Sequence, residues 1–131
     1  MIVHFPVGLL ISGVVFEIYG ALRNDEVAET AGRYNIRFGF WCLFPVLLVG
    51  FLGMISLENT EEFKDFLSSH LTFALCTAGL FFLAMLVSRY LCQPLGRALY
   101  FIIIGVGGIC LLTTGYFGGE LVHRFGVSTH Q

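Results

Sequence analysis

Charge is what this sequence has least of. Charged residues make up 12% of its 131 positions, where a soluble domain carries about 25%. Water is therefore not its main solvent. The net charge of −2 gives no reason to expect nucleic acid as a partner. Close cysteine spacing is also missing. Cys42, Cys76, Cys92 and Cys110 stand singly inside apolar stretches, with no CxxC pair, so neither a disulfide framework nor a cysteine metal cluster is expected. The four read as small packing residues. No nucleophile–base pair, phosphate loop or paired carboxylates occur, and independent catalytic activity is not expected. Charged groups are essentially absent from the middle of the apolar stretches, which argues against a transporter or channel.

What the chain does have is apolar length. Hydrophobic residues reach 56% and mean hydropathy is +0.83. A membrane-crossing helix needs about 20 mostly apolar residues. Four stretches qualify: about 2–22, 36–57, 70–91 and 98–117. The first contains one formal charge, Glu17, and lacks the basic start and small-residue cleavage site of a secretory signal, so it is expected to be retained. Pro6 falls in the first turn of that span, where a missing N–H costs little. Asn24 is the expected cap of a helix that begins in the polar 25–33 stretch and runs into the second span. Ser68 or Ser69 is the expected cap of the third, and Pro94-Leu95-Gly96 turns the chain into the fourth. Residues 60–67 read as a short interfacial amphipathic helix. Connections this short predict an all-α, up-down-up-down four-helix bundle forming a single domain over residues 1–131.

Arginine sets the expected orientation. Arg23, Arg33, Arg37, Arg89 and Arg97 gather in the 1–2 and 3–4 connections, against Lys64 and Arg124 on the other side. The positive-inside rule then puts the arginine-rich end in the cytoplasm and both termini outside. In a Gram-negative bacterium the outside is the periplasm, and the protein sits in the inner membrane. Tyr34 and Trp41 near one end and Tyr116 near the other fit interfacial aromatic belts.

This topology brings distant histidines together. His4 opens the first span, His70 opens the third, and His123 follows the fourth, so an even number of crossings carries all three to the outer end. His130 belongs to the tail. Spans 1 and 3 lie diagonally across such a bundle, and two imidazoles at matched depth can bind opposite faces of a haem iron. A flat macrocycle needs room. Gly8 follows His4 on the helical repeat, and Gly108, Leu112, Gly115 and Gly119 make one small-residue stripe on span 4. That stripe equally serves close helix packing with no cofactor. The bias of a residue before proline away from helix sets His4 just outside the first full turn. Three readings of the histidines stand: an axial His4–His70 pair on a b-type haem, another metal centre that also draws on His123, or interfacial polar residues without a cofactor. Glu17, near the arginine-rich end, reads as a carboxylate reaching the interface or as a proton-relay or quinone-site group. Glu120 reads as an ion-pair partner of Arg124 or as a group orienting an imidazole.

The ends of the chain carry a resemblance. The opening His4-Phe5-Pro6-Val7-Gly8-Leu9-Leu10, a histidine at the head of span 3, and the closing Thr114-Gly115-Tyr116-Phe117-Gly118-Gly119-Glu120-Leu121-Val122 with Arg124 and Gly126-Val127 resemble a bacterial family of four-helix membrane proteins of unknown function. Related domains occur fused to Rieske iron–sulfur or cytochrome c domains, so the resemblance implies a place in membrane electron transfer. His4 and His70 match the family pattern. Family members often carry tyrosine where this chain has His123 and histidine where it has Phe125, so His123 is not carried over as a ligand. The expected function is thus a membrane subunit of a redox complex binding haem b near the periplasmic face, beside redox subunits and a possible quinone partner. The alternative is a structural transmembrane subunit with no cofactor of its own.

Overall fold

The computed structural model describes residues 4–54, 61–92 and 94–125. The expectations for His130 and Gly126-Val127, and for the ends of the first two spans at 2 and 57, concern residues outside that set. Four helices account for the described chain: α1 (His4–Arg23), α2 (Glu26–Met54), α3 (Glu61–Tyr90) and α4 (Leu95–Phe125). Among the described residues there is no strand. Each helix is long and apolar enough to cross a membrane, so a lipid bilayer is the environment of the chain.

The helix ends follow from local chemistry. Asn24 adopts a left-handed φ of 54°, which asparagine tolerates better than most residues. The Asp25 amide then donates to the Gly20 carbonyl at 2.9 Å, the wide bond of a Schellman stop. The cap of α2 is consequently Asp25 rather than Asn24: its Oδ1 accepts from the amides of Val27 at 3.0 Å and Ala28 at 3.1 Å. α1 starts at His4, with Pro6 buried in its first turn. Residues 61–67 form no separate interfacial helix but the first turns of α3. No proline or glycine lies between Glu61 and His70, so nothing breaks the ladder. Ser68 accordingly sits inside the helix, its carbonyl accepting the Thr72 hydroxyl at 2.8 Å. α4 likewise runs through Gly118-Gly119 to Phe125, which puts His123 in its last turn.

Packing divides the bundle into two hairpins. α1 packs closely on α2 and α3 on α4; close backbone approach between the hairpins is sparse, along α1–α4 and α2–α3, and the backbones of α1 and α3 stay apart across the diagonal. The α1–α2 seam is built on glycine. A Cβ added at Gly13 would stand 3.0 Å from the Gly32 carbonyl oxygen, one at Gly32 2.8 Å from that of Gly13, and one at Gly20 2.6 Å from the Glu29 amide. Bare backbone lets two membrane helices approach this closely. Between the hairpins lies the apolar core, with Leu10, Ile36, Phe81 and Ile104 at its centre. Phe38, Trp41, Phe44 and Phe51 on α2 stay exposed, as lipid-facing side chains do.

Candidate functional site

At the end of the bundle that carries the start of α1 and the end of α4, α3 and α4 hold His70 in a defined orientation. Its Nδ1 lies 3.0 Å from the Thr114 carbonyl oxygen. A carbonyl only accepts, so Nδ1 carries the proton, and Nε2 of the neutral ring keeps its lone pair. Gly118 makes this seat possible, because an added Cβ there would stand 3.1 Å from the His70 Cε1. Two helical turns inward along α3, buried Thr77 donates to the Phe73 carbonyl at 2.8 Å and lies 3.5 Å from the Thr114 hydroxyl. Farther out, Arg124 pairs with Glu120, lies 3.7 Å from Glu62 on α3, and covers the Phe66 ring at 5.2 Å. Glu120 is therefore an ion-pair partner of Arg124.

The other expected residues of this end are differently placed. The buried stripe of α1 is Pro6, Leu10, Gly13, Glu17 and Gly20; His4 and Gly8 fall off it and are exposed. α1 meets α4 where Gly108 approaches Val14, a Cβ added at the glycine standing 3.8 Å from Val14 Cγ1. Counting equally outward along both antiparallel helices from that point brings His4 level with Gly118, on which the His70 ring rests. Near this level Gly118 is filled by His70, while other small residues are left unpacked. A Cβ added at Gly8, Gly115 or Gly119 would meet nothing within 4 Å. His123 is carried about 7 Å beyond Gly118, at about 1.5 Å per residue, and is exposed. Among the described residues no group of three or more His, Cys, Asp or Glu side chains is placed to hold a metal ion. A haem asks less of the protein, namely two axial nitrogens and room for the ring. His70 meets part of the first requirement through its oriented Nε2, and the room beside Gly8 and Gly115 is exposed surface. His4 has the right level and lies on an exposed flank.

The opposite, arginine-rich end holds a polar network that the sequence indicated only in part. Glu17 does not reach out to the interface. It is 1% exposed and turns into the bundle, where the Tyr100 hydroxyl donates to its Oε1 at 2.8 Å and Arg33 Nε lies 3.4 Å from the same oxygen. Glu29 joins the cluster with both oxygens, one 3.2 Å from Arg33 Nη2 and the other 2.7 Å from Arg97 Nη2. Gly32 opens the slot for Glu17: a Cβ there would stand 2.7 Å from both its Cγ and its amide nitrogen. A cavity of about 80 Å³ adjoins the cluster, lined by Glu17, Glu29, Arg33, Ser88, Arg97 and Tyr100 among others. The signal for this site was the spacing of small residues. Gly13 and Gly20 flank Glu17 on one face of α1, and Gly32 and Gly39 repeat the seven-residue step on α2.

The chain thus has four membrane-length helices, a histidine seated on glycine at one end and a buried carboxylate at the other. No curated protein and no solved structure matches it. Its two ends and the whole stretch between them agree with one family profile: the chain belongs to the family described as predicted membrane protein (DUF2231), which matches residues 1–131.

Proposed function

We propose that this chain is a membrane subunit of an electron-transfer complex and takes a b-type haem at its outer end, with His70 and His4 as axial ligands. The observation that carries the reading is the His70 hydrogen bond. An imidazole whose Nδ1–H is bound to a backbone carbonyl at 3.0 Å offers Nε2 in the tautomer that iron requires. Haem would supply reversible one-electron chemistry. This chain's own part is to orient His70 through Thr114, to seat its ring on Gly118, and to leave bare backbone at Gly8, Gly115 and Gly119. Two axial histidines leave no open coordination position, so the role is electron transfer and not chemistry on a substrate. The partners would be other membrane redox subunits, including Rieske or cytochrome c proteins. The five arginines would face the cytoplasm and both termini the periplasm of a bacterial inner membrane. Absorbance spectra of protein purified from haem-replete cells, with and without dithionite, test the proposal. A Soret band that shifts on reduction and is lost in His70→Ala supports it; absence of the band refutes it.

A second reading, a structural subunit that binds nothing itself, draws on the position of His4 and Gly8 off the buried stripe of α1. The exposed apolar side of α2, with Phe38, Trp41 and Phe44, suits packing against lipid or a larger membrane protein. Under that reading His4→Ala and His70→Ala leave assembly and complex activity unchanged.

A further inference from the structure

Glu17 is far from the histidines, and nothing in the haem reading uses it. A carboxylate buried among membrane-spanning helices is costly and marks proton or ion pathways more often than structure. Here it has a defined donor in Tyr100, at 2.8 Å, and a cation in Arg33, at 3.4 Å. The groups facing it are Glu29 and Arg33 from α2 and Arg97 and Tyr100 from α4, while α3 supplies uncharged Ser88. The charge of Arg37 also reaches Tyr100. Glu17 and Glu29 balance Arg33 and Arg97, so the cluster is neutral with Glu17 ionised. A proton on Glu17 leaves each arginine still paired with Glu29, through separate oxygens. Neither state strands a charge without a partner.

The cavity says what kind of ligand the site takes. At about 80 Å³ it has room for a few waters, at about 30 Å³ each. Arg33 and Arg97 on its rim are each about half exposed, at 45% and 44%, so water from the arginine-rich side reaches it between them. We infer that Glu17 and Tyr100 form a proton-binding site that loads from the arginine-rich face through this water-sized cavity. In loading, an O–H bond forms on a Glu17 carboxylate oxygen and one breaks in a hydronium ion of the cavity; the Tyr100 hydroxyl continues to donate to Oε1. Glu17 belongs to α1 and Tyr100 to α4, so the site lies on the sparse contact between the two hairpins.

Infrared difference spectra between acidic and alkaline buffer, recorded on the full chain in detergent, test the inference. The carbonyl stretch of a protonated carboxyl should appear at acid pH, disappear in Glu17→Gln and shift in frequency in Tyr100→Phe, which removes the donor and leaves the acid in place. The Tyr100→Phe arm also stands by itself if Glu17→Gln fails to fold. An acid-pH carboxyl spectrum unchanged in either variant, or no pH-dependent carboxyl band in the intact chain, overturns it.

Discussion

The two ends of this bundle use glycine in opposite ways. At the arginine-rich end Gly13, Gly20 and Gly32 bring α1 and α2 into backbone contact, and Glu17, Tyr100, Arg33, Glu29 and Arg97 line the small cavity that remains. At the histidine end Gly118 seats His70, while Gly8, Gly115 and Gly119 face open space. In a bilayer, helix association rests on close packing and polar bonds because lipid is as apolar as the core. The first end therefore spends its glycines on close contact between α1 and α2, and the second leaves most of its glycines unpacked.

The largest effect should come from putting one substitution at each end. Gly32→Leu drives a side chain into the Glu17 Cγ and backbone, both 2.7 Å from the added Cβ, and should cost about 3 kcal/mol or more. A Cβ added at Gly115 meets nothing within 4 Å, so Gly115→Ala should stay within about 0.5 kcal/mol of the parent, and Gly115→Leu should lower haem content if the ring needs that space. Unfolding of the reconstituted protein by denaturing detergent measures both. Similar costs at the two positions would abolish the contrast. Glu17→Ala leaves the buried Tyr100 hydroxyl without its acceptor and should cost about 1–3 kcal/mol in the same assay. Arg97→Gln breaks the half-exposed pair with Glu29 and removes the cation from over the Phe101 ring, and the ion pair accounts for about 0.2–1 kcal/mol of the loss. The orientation of the two ends is read without energetics. Cys92 is exposed in the α3–α4 connection, so in a variant keeping only that cysteine an impermeant maleimide should label inverted vesicles and spare right-side-out ones. The reverse pattern would turn the arginine-rich end outward.

The helices were legible in the sequence because apolar length is a strong signal, and the start of α2 in the polar stretch after Asn24 was visible as well. Which residue capped α2 was not, since it depended on Asn24 taking the left-handed conformation. The proposed break between residues 67 and 70 failed for a plain reason: amphipathic character changes there, and no residue that interrupts hydrogen bonding is present. Glu17 stood out as a lone charge, yet its direction rested on Gly32 lying across from it, a tertiary fact. The histidines divide in the same way. His70 could be recognised at the head of its span, whereas its bond to Thr114 needed the register of α3 against α4. The exposure of His4 depended on which face of α1 turns toward α2.

Axial ligation at the outer end is the claim on which the functional account turns. Electron paramagnetic resonance of the oxidised protein from haem-replete cells reads it directly. The account predicts a low-spin, bis-imidazole ferric signal in the parent chain, lost or converted to high spin in both His4→Ala and His70→Ala. A parent chain with no haem iron signal, or a low-spin signal that survives His70→Ala, would contradict it.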